Sequence, residues 1–116
     1  MVVERGERLM SDQLGPFQGV WDAWVEVQDE MALKPISHFE RAVQIQFDEF
    51  RGHLAAGDRE AAAREMVDVI SIALNALRKL GFSPEEISEV ARSRAAQRMV
   101  GRGQEILDKY EKIYRI

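Results

Sequence analysis

Gln46, Glu49, Glu65 and Asp68 are the residues whose types and spacing suit chemistry. Glu65 and Asp68 stand three apart, so on a helix they share a face. Gln46, Glu49 and His53 follow the i, i+3, i+7 rule and share another. Packed antiparallel, as a short connection requires, the two segments would bring these groups together. Carboxylates at such range repel, and a divalent cation removes the repulsion. A set made only of oxygen ligands favours Mg²⁺ or Mn²⁺ over Zn²⁺. The segment around Asp68 (Met66, Val67, Val69, Ile70, Ile72 and Leu74) is apolar on nearly every side. A helix of that kind is expected to be buried, and a buried carboxylate must be paired, protonated or metal-bound. A second reading is open on spacing alone: Glu49 and Glu65 as surface groups, and Asp68 as the partner of an arginine.

The elements that would position these residues are helical. Gly15-Pro16 opens a first helix to about Leu33, with Phe17, Val20, Trp21, Trp24, Val27 and Met31 as its apolar stripe. Lys34-Pro35 ends it. Ser37-His38-Phe39-Glu40 has the spacing of a capping box and starts a second helix to about Ala56, stopped by Gly57. Its stripe is Phe39, Val43, Phe47, Phe50 and Leu54. Asp58 caps a third helix that runs to Leu80 and stops at Gly81. Ser83-Pro84-Glu85-Glu86 is a second capping box. The fourth helix reaches about Val100, Gly101-Arg102-Gly103 loosens the chain, and a last helix spans Gln104 to about Tyr114. The fold class expected is all-α, a four- to five-helix bundle in one domain over residues 15–116. Residues 1–14 read as a flexible arm.

Composition narrows the function. The chain has 116 residues, no cysteine and a net charge of −4. Disulfides, thiolate metal sites and cysteine nucleophiles are excluded. A reducing cytoplasm fits. The charge is uneven: residues 1–91 carry −8 and residues 92–116 carry +4. Long nucleic acid is a poor partner for an acidic chain, while a small anionic one suits a local basic segment. No stretch is long and apolar enough to suggest a membrane span.

In order and context these motifs resemble the MazG-like, all-α nucleoside triphosphate pyrophosphohydrolases, relatives of the dimeric dUTPases. That family carries Glu-x-x-Glu on one helix and Glu-x-x-Asp on the next. Gln46-Phe47-Asp48-Glu49 stands at the first place and Glu65-Met66-Val67-Asp68 at the second. Leu80-Gly81 and the Ser83–Glu86 cap follow as in the family, and Arg92, Arg94 and Arg98 occupy its late basic region without the usual Asn. The resemblance spans roughly residues 37–100. It implies that Gln46, Glu49, Glu65 and Asp68 bind Mg²⁺, with Glu49, Glu65 and Asp68 catalytic. A nucleoside triphosphate would be cleaved between its α- and β-phosphates, giving a monophosphate and pyrophosphate. Arg94, Arg98 and Arg102, at i, i+4 and i+8, would meet the phosphates. Trp21, Trp24 and Asn75 would contact the base in a homodimer or homotetramer. Gln46 departs from the pattern, because its neutral amide gives the site less charge. Two other classes therefore stay open. One is a nucleotide-binding protein with weak or no catalysis. The other is a helical interaction protein presenting Trp21 and Trp24.

Overall fold

In the computed structural model, residues 13–116 are described, and among them every regular element is helical. Most of the expected arm, residues 1–12, lies outside the described residues. Leu14 belongs to the body: its amide donates to Gln18 Oε1 (3.2 Å), and its side chain packs on the core.

Six helices follow: α1 (Gln18–Ala23), α2 (Gln28–Ala32), α3 (Ile36–Ala55), α4 (Arg59–Lys79), α5 (Pro84–Arg94) and α6 (Gly103–Lys109). The long pair α3–α4 is an antiparallel hairpin and the backbone of the fold. Asp58 accepts from the Ala61 amide (3.0 Å) and starts α4, as its place in the sequence implies. Gly57 (φ 73°) and Gly81 (φ 88°) end α3 and α4 in the left-handed conformation that a side chain would strain. At α5 the expected capping box forms in full. Glu86 N–H donates to Ser83 Oγ, and Ser83 N–H donates to Glu86 Oε1. These bonds hold the Glu86 carboxyl below the usual carboxylate range. Ser83→Ala should cost about 1 kcal/mol, read as a lower midpoint in chemical denaturation.

Three expectations are corrected. The first helix is not continuous, since a tight turn at Val25–Val27 separates α1 from α2. No Gly or Pro marks the break. Long-range bonds hold the pieces instead: Trp24 Nε1 donates to Ser71 Oγ (3.0 Å), and Lys79 Nζ donates to the Ala32 carbonyl (2.8 Å). Two β-branched valines in the turn weaken any competing helix. The Ser37–Glu40 capping box does not form. Pro35, extended at φ −72° and ψ 161°, is the N-cap, and α3 begins at Ile36 with Ser37 already inside it. The third correction concerns α4, which is not buried all round. Asp68, Val67 and Ile70 are exposed.

The core sits where α1, α4 and α5 meet, around Trp21, Leu74 and Ile87. Arg78 closes it from above. Its guanidinium lies 3.7 Å from the Trp21 ring centroid and donates to the Trp21 carbonyl (2.7 Å) and Asn75 Oδ1 (2.9 Å). Burial lowers the Arg78 pKa, and the cation–π contact and hydrogen bonds offset that desolvation. After α5 the chain makes a π-helical turn at Ala95–Met99. It then breaks at Val100–Gly101 and continues through α6 into a second π-turn at Tyr110–Tyr114.

Candidate active site

The hairpin joins the residues that spacing had paired. On α3, the side of Gln46, Glu49 and His53 meets the side of α4 that carries Glu65. His53 Nε2 stands 3.5 Å from Glu65 Oε1. The Glu49 carboxyl stands beside that of Glu65 and is the main cause that raises the Glu65 pKa; burial and the charges of Glu49 and Asp68 raise it further, against a smaller pull from His53. Glu65 is the most enclosed of the three acids, with its side chain 14% exposed. Glu49 and Asp68 are exposed at the rim.

Two buried oxygens in this place have no partner: Gln46 Oε1 and Glu65 Oε2. An unpaired buried acceptor carries a desolvation cost, so each invites a cation or a donor. The donor set is all hard oxygen, which fits Mg²⁺ or Mn²⁺. Among the described residues, no three His, Asp or Glu side chains converge closely enough to enclose an ion in this conformation. Enclosure would require rotamer changes at the exposed Glu49 and Asp68.

Beside the acids lies a cleft of about 330 Å³. Gln46 and Asp68 line both. Trp24 and Met31 form one wall, His38 and Phe39 of α3 a second, and Ser71, Ile72 and Asn75 of α4 the floor. The Trp24 indole is fixed by its bond to Ser71. Asn75, 3% exposed, spends its carbonyl on Arg78, so its amide nitrogen is left to donate. Gln46 Oε1 is left to accept. The cleft thus offers an aromatic face, a donor and an acceptor next to an acidic cluster, and its size is at the lower end for small-molecule sites.

Not every expected residue gathers here. Trp21 is 8% exposed and covered by Arg78, so it serves the core and is not among the residues that line this cleft. Arg94, Arg98 and Arg102 do converge, but not as one straight helical face, because Gly101 (φ 76°) turns the chain between them. They line a separate groove of about 420 Å³ with Lys109 and Tyr110. Arg102 is already engaged with Glu105 (3.2 Å). The groove and the acidic cluster share no lining residue or ion pair among the described residues. Sequence reasoning missed His38 and Ser71. The signal for His38 was its i, i+4, i+8 spacing with Ala42 and Gln46. Ser71 had no local signal, since its role depends on Trp24, 47 residues away.

Fold and site together define an all-helical protein whose central hairpin carries an acidic cluster next to a small amphiphilic cleft. Compared with protein-family models, curated proteins and solved structures, the chain matches none.

Proposed function

We propose that the protein is a Mg²⁺-dependent nucleoside triphosphate pyrophosphohydrolase. The observation that carries this reading is the pair of partnerless buried oxygens, Gln46 Oε1 and Glu65 Oε2, beside the Glu49 carboxyl and a cleft with an aromatic wall. Gln46, Glu49, Glu65 and Asp68 would hold the cation, which supplies charge neutralisation on the triphosphate and an acidified water. With both carboxyls ionised, the Glu49–Glu65 pair can accept a proton from water attacking between the α- and β-phosphates. Asp68 joins the acids to the cleft. There the base would stack on Trp24 and hydrogen-bond to the Asn75 amide and Gln46 Oε1. Arg94, Arg98 and Arg102 have the forked donors that phosphate oxygens favour. They lie on a different groove, so their part is the first to test: Arg98→Ala should raise KM several-fold with kcat little changed. An unchanged KM would remove the groove from the site. A homodimer or homotetramer in the cytoplasm is the setting we propose.

One feature favours a second reading, a nucleotide-binding protein with little catalysis. Gln46 makes the ligand set one charge poorer than a four-carboxylate site. Calorimetric titration of nucleoside triphosphates, with Mg²⁺ present, separates the two. The enzyme reading predicts binding with a heat of turnover, which disappears in Asp68→Asn. Binding without turnover, together with a large gain of activity in Gln46→Glu, would establish the second reading. If neither Mg²⁺ nor any nucleotide shifts the melting temperature, both fail and a helical interaction protein remains.

A further inference from the structure

We propose that Ser71 is a positioning residue of the cleft: its hydroxyl sets the plane of the Trp24 indole before a planar ligand enters. The inference rests on the reading that a nucleotide base stacks on Trp24. Trp24 itself stands on no helix. It follows α1 and opens the turn at Val25–Val27, with φ −93° and ψ 0°. The residue is 37% exposed, so packing holds only part of its ring. An indole has one polar group, a donor. Here that N–H is spent on Ser71 Oγ (3.0 Å), 47 residues further along the chain. Among the described residues, two hydrogen bonds tie residues 24–32 to α4: this one, and the one from Lys79 Nζ to the Ala32 carbonyl (2.8 Å). Only the first belongs to the cleft, since Trp24 and Ser71 line it and Lys79 and Ala32 do not.

The place of Ser71 on α4 agrees with that role. It lies three residues after Asp68 and four before Asn75, so the three side chains share one face of the helix. All three line the cleft. Asp68 joins that face to the acids, Asn75 offers its amide to a ligand, and Ser71 between them holds the aromatic wall. Ser71 is 9% exposed in the middle of a 21-residue helix, where alanine is the better helix former. A hydroxyl at this point weakens the helix slightly and gains a fixed ring across the cleft. A wall ordered in advance spares the ligand the entropy of ordering it. The bond should therefore act on affinity and leave the chemical step alone.

Calorimetric titration of the full chain with nucleoside triphosphates and Mg²⁺, beside pyrophosphate-release kinetics, tests it. Ser71→Ala should weaken triphosphate binding about three- to tenfold, the worth of one neutral hydrogen bond, with kcat unchanged. Ser71→Thr keeps the hydroxyl and should restore the affinity. Trp24→Phe keeps a ring but has no N–H to donate, so adding Ser71→Ala to it should cost no further affinity. With no triphosphate present, the tryptophan emission of Ser71→Ala should be quenched more readily by acrylamide than that of the wild type. Unchanged affinity in Ser71→Ala overturns the proposal. So does a loss that Ser71→Thr does not restore, or one that recurs in full on top of Trp24→Phe. A wild type that binds no triphosphate brings down the nucleotide reading and this inference with it. A wild type that binds, with Ser71→Ala binding equally well, brings down this inference alone.

Discussion

Glu65→Gln is expected to lose about 10²–10⁴-fold in pyrophosphate release while melting at a higher temperature than the wild type at pH 7. The two effects have one cause. Glu65 is the enclosed acid, and its carboxyl stands against those of Glu49 and Asp68. Its folded pKa is raised, so the folded protein binds this proton more tightly than the unfolded chain does. Below the usual carboxylate range Glu65 is protonated in both states and costs nothing. As the pH climbs through that range the unfolded chain releases its proton first, and stability falls until the folded pKa is passed. Glutamine keeps a donor for Glu49 and carries no charge, so the fall should vanish from melts taken between pH 4 and pH 8. Added Mg²⁺ should reduce the same loss in the wild type and have little effect on Glu65→Gln. A variant that is both inactive and less stable at pH 7 would show that Glu65 serves the fold, not the site.

The second large effect falls on the two tryptophans, three residues apart. Trp21→Ala should destabilise the protein by about 3–5 kcal/mol, the range for emptying a buried aromatic site. It removes the centre of the core and the ring beneath Arg78, leaving a half-buried guanidinium without its aromatic partner. For a domain of this size the melting temperature should drop by more than about 12 °C. Trp24→Ala should behave differently. Trp24 is 37% exposed and gives up one bond to Ser71, so its stability loss should be smaller. Its nucleotide affinity should fall about 5–150-fold, the value of one stacked base. Thermal melts and calorimetry on the same two variants separate the roles. Equal stability losses, with affinity untouched by Trp24→Ala, would take Trp24 out of the site.

The hairpin was legible because its signals are local. Gly57, Asp58, Gly81 and the Ser83–Glu86 box each act within one helical turn, and the stripes of α3 and α4 carry their own period. The meeting of Gln46 and Glu49 with Glu65 follows from those periods and one short loop. What was not legible depends on partners far along the chain. The break between α1 and α2 is held by Trp24–Ser71 and Lys79–Ala32, each 47 residues apart. The Ser37 box looked sound, but Pro35 had already set the extended entry to α3. Asp68 looked buried because its neighbours are apolar. Burial depends on what covers them, and within one chain α4 has cover on some sides only. Trp21 and Trp24 are alike in sequence terms, and only the position of Arg78 tells core from cleft.

The central claim is that the acidic cluster and the cleft form one hydrolytic site for nucleoside triphosphates. Pyrophosphate release, measured over the common and modified triphosphates in Mg²⁺ and in Mn²⁺ beside Asp68→Asn, tests it most directly. The account predicts pyrophosphate and a nucleoside monophosphate from at least one triphosphate, with release lost in Asp68→Asn. No pyrophosphate from any triphosphate with either metal, or release undiminished in Asp68→Asn, would contradict it.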